Sequence, residues 1–485
     1  MEPSDTDPTL RRHPGELIAG FDPEVVAQIV HRAGSRDFEA WWAAASTAGF
    51  CANPVHLATS LAGLGRTEVL TRCKNRRASV CPSCSALYAG DTWQLVHAGI
   101  AGGHHGMPAS IAAHPMAFVT LTAPSFGPVH STGHPPGEQR VCQPAGTKRC
   151  CDHWRSRCAA VHELTDPLVG QAICVHCYDY VGHVLFSWHL PQLWHRFAIG
   201  LRRSIARRLS SSGDDPKAVR LSYVKVVEMQ RRGIPHIHAV IRLDGAGAPS
   251  EPGQPPTSVL SAVDLAALAL RTASRVRLKV SGPDGGELAL GFGSQTDAQP
   301  MYGPSAGGES LAVQRKLAAY LAKYVTKSVA ECGLGTRPMS ARSIPELEVT
   351  DHVRRILETI VELARQPEYR PMLGWLHTLG YRGHITSKTR RYSTTMGALR
   401  EARRAWRAGG DDPAMSEEGL EWHFSGYGHA GPGDRLLVVS AAAGGEGARY
   451  RPQYPLPAAR AGGDRVGKDR RTPSYLPNRT GYLRR

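Results

Sequence analysis

Two histidines one residue apart, in Pro235-His236-Ile237-His238, are the first place where residue type and spacing suggest chemistry. On a strand, positions i and i+2 share a face, so His236 and His238 converge while Ile237 points the other way. A basic turn, Gln230-Arg231-Arg232-Gly233, precedes them, and the β-rich run from Arg220 to Met229 comes before it. Two such runs joined by a short glycine turn predict an antiparallel hairpin. Glu228 then brings a carboxylate to the same face. Two imidazoles and one carboxylate suit a divalent metal with open positions. Ligation needs neutral imidazole, so activity is expected to fall below about pH 6.

The second constellation is Lys316-Leu-Ala-Ala-Tyr320-Leu-Ala-Lys323-Tyr324-Val-Thr-Lys327-Ser328. On a helix Tyr320, Tyr324 and Lys327 lie on one face, with Lys323 beside them. A lysine near a phenol favours the phenolate and can neutralise charge on a phosphate. A tyrosine oxygen can attack a phosphodiester polarised by a bound metal and form a covalent intermediate.

Several elements must position these groups. Residues 116–122, apolar and β-branched, predict a buried strand ending at Pro124. Helices are expected over 183–210, 262–280, 311–330, 351–366 and 397–407. The pattern indicates an α+β protein with a central antiparallel sheet. At about 150 residues per domain, 485 residues suggest roughly three domains. The parts are a flexible arm (1–40), a Cys-rich region (41–110), a catalytic domain (111–335) with a Cys/His-rich insert at about 127–180, a basic helical region (336–407) and a mostly disordered basic tail (408–485).

Lysine and arginine total 58 against 42 acidic residues, a net charge of +16. That excess favours nucleic acid or an anionic surface as partner. No stretch reads as a membrane span, and residues 1–12 lack the basic start and apolar run of a signal peptide. The expected compartment is the cytoplasm, where disulfides are rare, so eleven cysteines call for another explanation. Cys81-Pro-Ser-Cys84 with Cys73 and Cys51 forms one candidate zinc set, with His56 the rival fourth ligand. Cys158-x3-His162 with Cys174-x2-Cys177 forms another, with Cys142, Cys150, Cys151 and His153 as competitors. Both fit structural, tetrahedral Zn2+. Arg76, Arg77, Arg231, Arg232, Lys388, Arg390 and Arg391 are candidate DNA contacts, with Tyr381 and Tyr392 as stacking platforms for bases.

Phe118-Val-Thr-Leu-Thr122, His236-Ile-His238 and Tyr320-x3-Tyr324-x2-Lys327 occur in the order found in the HUH endonuclease superfamily, which the chain resembles. Cys73-Lys-Asn-Arg-Arg-Ala-Ser-Val-Cys81-Pro-Ser-Cys84, Cys174-x2-Cys177-Tyr-Asp-Tyr180 and Gly383-His-Ile-Thr-Ser-Lys-Thr-Arg-Arg-Tyr-Ser393 resemble actinobacterial plasmid replication initiators of the RepSA type. The resemblance runs from about 50 to 407. It implies an HUH-type sheet and rolling-circle initiation. Mg2+ or Mn2+ would sit on His236, His238 and Glu228, with Tyr324 the nicking nucleophile. Tyr320 would be a second nucleophile or a support. The implied partners are origin DNA, double-stranded for recognition and single-stranded for nicking, and a host helicase, since no phosphate-binding Gly-x4-Gly-Lys-Ser/Thr loop is present. A conjugative relaxase, an HUH transposase and a non-enzymatic zinc-stabilised DNA-binding regulator are the alternatives.

Overall fold

The computed structural model describes residues 22–61, 65–132, 141–142, 158–163, 165–247, 252–257, 260–302, 309–325, 332, 334–335, 338–407 and 422–444. In chain order the helices are α1 (Pro23–Ala33), α2 (Phe38–Thr47), α3 (Pro82–Ala101), α4 (Tyr180–Ser211), α5 (Ala262–Arg275), α6 (Glu309–Tyr324), α7 (Asp351–Leu363), α8 (Met396–Arg407) and α9 (Pro432–Ala443). The strands are β1 (Val55–Leu61), β2 (Gly65–Thr71), β3 (Met116–Leu121), β4 (Val219–Met229), β5 (Pro235–Gly245), β6 (Leu278–Ser281), β7 (Glu287–Leu290), β8 (Asp297–Met301), β9 (Thr386–Lys388) and β10 (His423–Tyr427).

The central sheet has the order β8-β3-β5-β4-β9, and every neighbouring pair is antiparallel. The β4–β5 hairpin closes where the sequence predicts it. Gly233 turns the chain at φ 77, and a Cβ there would lie 2.7 Å from a methyl of Leu379. Glycine alone suits a positive φ in so tight a place. Strand β5 is buried along its whole length because helices cover both faces of the sheet. Ile237, Ala239 and Ile241 face a core shared with α4, α5 and α7. Val240, with Val224 and Val226 of β4, packs against α3 and α6.

A smaller antiparallel sheet, β10-β1-β2, forms a second body with α1, α2 and α9. Two expectations fail here. The N-terminal arm contains α1, capped by the Asp22 side chain. The supposed tail returns as β10 and α9: β10 pairs with β1, Arg32 grips both carboxylate oxygens of Asp434 at 2.9 Å, and His429 reaches the Cys51 carbonyl at 2.9 Å. Composition made 408–485 look unable to fold alone, but 422–444 borrow their partners from the N-terminal body. Residues 408–421 and 445–485 lie outside the described set. The helix expected over 262–280 stops at Arg275, and 278–281 becomes β6 in a small hairpin with β7.

Candidate functional site

The β4–β5 register sets Glu228 directly opposite His236 and Val226 opposite His238, while β3 sets Thr120 opposite His238 from the other side. Alternation therefore gathers both imidazoles, the carboxylate and the threonine hydroxyl on one face. The two imidazole rings lie 4.8 Å apart. His238 Nε2 donates to Glu228 Oε2 at 3.1 Å, and the Thr120 hydroxyl donates to His238 Nδ1 at 3.2 Å. His236 Nε2 is buried without a hydrogen-bond partner. That nitrogen shares a face with the His–Glu pair, but the ligand atoms of His236, His238 and Glu228 do not all lie within 4.8 Å of one another, so a cation held by all three would have to draw them closer. Octahedral bonds of about 2.1 Å have edges of about 3.0 Å, close to the His238–Glu228 separation.

Burial and the neighbouring His238 push His236 down to about 4. It stays neutral well below the ordinary imidazole range. Gln230 decides which of its nitrogens holds the proton. The amide Oε1 accepts from Arg232 Nε at 3.0 Å and turns its NH2 toward His236 Nδ1, also at 3.0 Å. In this arrangement Nδ1 accepts and the ring proton sits on Nε2; freeing Nε2 for a cation requires the amide to rotate and give up its bond from Arg232. Neighbouring aromatic pairs hold the turn. His183 Nε2 donates to Gly233 O at 3.3 Å and His352 Nε2 to Arg232 O at 3.1 Å, and each accepts from a tyrosine hydroxyl (Tyr178 and Tyr180) at 3.0 Å.

Helix α6 carries Tyr320 and Tyr324 over this face. Their ring centres lie 5.4 and 5.2 Å from that of His238 and 4.6 Å from each other. The Tyr324 phenol is pushed well above its ordinary range by burial, by its hydrogen bond with Tyr320 and by the Glu228 charge. It therefore holds its proton in the resting site. Tyr320 is 40% exposed. Lys323 is exposed on the last turn of the helix, and Lys327 lies outside the described residues.

Two groups of Cys and His have ligand atoms all within 4.8 Å of one another. The first, Cys51, Cys73, Cys81 and Cys84, is the set expected from sequence. Cys51 Sγ lies 3.7 Å from both Cys81 Sγ and Cys84 Sγ. A tetrahedron of about 2.3 Å Zn–S bonds has edges of about 3.8 Å. Cys81 caps α3, Cys84 sits in its first turn, and backbone N–H groups of Ala52 and Cys73 point at the sulfurs. Hydrogen bonds from Cys51 and Cys73 hold the Cys81 thiol far below, and Cys84 at about 7, both under the usual thiol value. His56 instead bonds Glu68 and the Gly428 carbonyl.

The second group is His130, Cys142, Cys158 and His162. Among the described residues, this group keeps Cys158 and His162 of the expected set and joins them to Cys142, one of the expected competitors, and to His130, which the sequence reading did not name; Cys174 and Cys177 are not part of it. His162 Nε2 approaches Cys158 Sγ at 3.3 Å and His130 Nδ1 at 3.1 Å, and its Nδ1 is oriented by Asp166 at 2.6 Å. A carboxylate behind a ligating imidazole is the usual support of such a centre. Both clusters are compatible with structural zinc. Spacing favoured the Cys-x2-Cys pair, whereas His130 comes from a separate loop bridged at Val129–Ala172.

Most of the expected DNA contacts are half-buried and bond backbone carbonyls. Arg76 donates to Val325 O at the end of the tyrosine helix at 2.8 Å, and Arg77 is held in the same half-buried segment. Arg231 donates to Asp166 O at 3.1 Å. Lys388 Nζ binds the Ser393 carbonyl at 2.8 Å and is lowered to about 8 by burial, and Arg391 binds Gly247 O at 2.7 Å. Of that set only Arg390 is exposed. Tyr381 and Tyr392 are core residues, not stacking platforms. Their place in a polar, basic stretch hid the fact that the stretch dives under α3.

A family model described as "Replication initiator protein, pSAM2" (RepSA) matches residues 37–443. A replication initiator protein of Streptomyces ambofaciens is 36% identical over 455 residues, covering 87% of this chain and 94% of that protein. No solved structure matches. No described helix is long and apolar enough to cross a membrane. The match spans the four-cysteine cluster, the hairpin, the tyrosine helix and the returning segment through α9, and the chain belongs to the RepSA family of plasmid replication initiators.

Proposed function

We propose that this chain starts rolling-circle replication by nicking and joining single-stranded origin DNA through a 5′-phosphotyrosine. The observation that carries the reading is the packing of two tyrosines on His238 of a His-x-His pair, Tyr324 stacked and Tyr320 edge-on, with a carboxylate beside it. A divalent cation on His236, His238 and Glu228, Mg2+ or Mn2+, would supply Lewis-acid polarisation of a phosphoryl oxygen. The Tyr324 hydroxyl attacks phosphorus and a tyrosine–phosphate ester forms. The bond to the 3′ oxygen breaks, and the phenol proton ends on the released 3′-hydroxyl, which primes synthesis. One ester replaces another, so the step consumes no ATP. Tyr320, in contact with Tyr324, is placed to receive the strand in the return transfer. Helicase action falls to a host partner.

The test is a 3′-labelled single-stranded origin oligonucleotide incubated with the protein and Mg2+ or Mn2+, then run on a denaturing gel. A labelled protein adduct is expected with wild type and is lost in Tyr324→Phe. An adduct that survives in Tyr324→Phe but not in Tyr320→Phe/Tyr324→Phe moves the first attack to Tyr320. No adduct with either metal, with origin binding intact, refutes the nuclease reading and leaves a non-enzymatic initiator.

A further inference from the structure

Helices α4 and α5 lie on the side of the central sheet away from the tyrosine helix, and a groove of about 580 Å3 runs between them. Arg196, Arg203 and Arg207 of α4 wall one side, with Arg271 and Arg275 of α5 and then Arg277 on the other. All six are exposed. No carboxylate lines the groove. Nearby Asp264 is occupied by its capping box with Ser261. Arg196 donates to Arg277 O at 2.9 Å, Arg207 to Arg203 O at 3.4 Å and Arg277 to Val276 O at 2.7 Å. Such bonds orient guanidinium groups without neutralising them.

The floor is small and polar. A Cβ on Gly200 would lie 3.0 Å from the Thr272 methyl, so glycine is what lets the helices approach, and Thr272 donates to Ser204 at 3.4 Å. Six cations around one concavity repel each other unless an extended polyanion lies among them. A lipid surface would call for exposed apolar groups beside the charge. Of the three apolar residues that line the groove, Leu268 and Val276 are buried and Ile199 is half-buried, so none presents an exposed apolar face.

We propose that this groove is a second nucleic-acid site, holding the phosphodiester backbone of duplex DNA on the opposite side of the sheet from the tyrosines. Arg196 and Arg207 span about 16 Å along α4 at about 1.5 Å per residue. A duplex offers a charge about every 1.7 Å of its axis, enough to meet both walls. The inference stands on charge and shape and does not depend on the nicking chemistry.

The experiment follows binding of a short fluorescent duplex to Tyr320→Phe/Tyr324→Phe protein, which separates the result from any strand cleavage, over about 50–200 mM NaCl. Arg203→Gln, Arg207→Gln, Arg271→Gln and Arg275→Gln are then combined in that background. If three of the four lost charges each met a phosphate, the slope of log K on log salt falls by about 2.7, and about 40-fold of the affinity lost across that range disappears. The pair Arg203→Gln/Arg207→Gln, a milder change, is expected to lower the slope by about 1.8. An unchanged slope in both variants overturns the proposal. Loss of binding to phosphatidylserine vesicles with the duplex slope intact overturns it in favour of a membrane. Retained adduct formation by the four-arginine variant with active tyrosines supports placing the groove apart from the nicking face.

Discussion

Asp244→Asn is the most discriminating test of what holds the site strand. Four and six residues beyond His238 on β5, Arg242 and Asp244 form an ion pair with both members almost wholly inside the protein. Arg242 is 0% exposed and Asp244 2%. The guanidinium binds the carboxylate through two bonds of 2.6 and 2.9 Å, donates to Gly99 O of α3 and lies 5.1 Å over the Tyr392 ring. His114 holds the same carboxylate at 2.9 Å. The substitution keeps the shape, removes the charge and turns one acceptor oxygen into an NH2 donor, leaving a guanidinium uncompensated where water does not reach. Removing one partner of such a pair costs about 3–5 kcal/mol. At about 3 °C per kcal/mol, a 4 kcal/mol loss lowers Tm by about 12 °C. Differential scanning calorimetry reads the shift. Arg242→Met/Asp244→Leu, which removes both charges, should recover most of it. Burial by itself raises the Asp244 pKa, but His114 and Arg242 outweigh it and the net shift is downward. Its stabilisation is therefore present above the unfolded carboxylate value of about 3.9 and is lost as pH falls through the folded one. A single variant within about 1 kcal/mol of wild type, or a double variant no better than the single, would refute the claim that this pair anchors β5 to α3.

Gln230→Ala should raise the Mn2+ concentration for half-maximal nicking by about 10–100-fold, with Tm unchanged, because His236 loses its orienting amide; an unshifted metal titration counts against that role. Burial lowers His183 to about 3 and His352 to about 4. The unfolded chain takes up their protons first as pH drops below about 6.5, so Tm should decline from there toward pH 4, and less steeply in His352→Gln; a flat profile argues against buried neutral imidazoles. Cys142→Ser and Cys84→Ser should each hold one zinc ion fewer per chain than wild type, since each removes a ligand from one of the two described groups; an unchanged zinc content in either variant would remove that group as a metal site.

Wherever the candidate site rests on local periodicity, its geometry was legible. A period of two put His236 and His238 on one face, and a short glycine turn brought Glu228 opposite. A period of 3.6 aligned Tyr320 with Tyr324, and Cys81-x2-Cys84 announced a knuckle whose other two thiols lay nearby in the chain. These features need only backbone geometry and a few residues of context. Long-range closure was not legible. His130 and Cys142 join Cys158 and His162 because separate loops meet, which spacing does not encode. Residues 422–444 fold because α1, β1 and the Cys51 segment offer them hydrogen bonds and Val438 packs with Ala45 and Phe50, a partnership that the average composition of 408–485 masked. Arginines at helical spacing on α4 and α5 become a groove only when Gly200 lets the two helices close. Conversely, Lys388, Arg391, Tyr381 and Tyr392 read as a DNA-facing cluster until packing turned them inward. Local pattern decides which residues share a face. Only the tertiary structure decides what that face meets, because burial and partnership depend on segments hundreds of residues away.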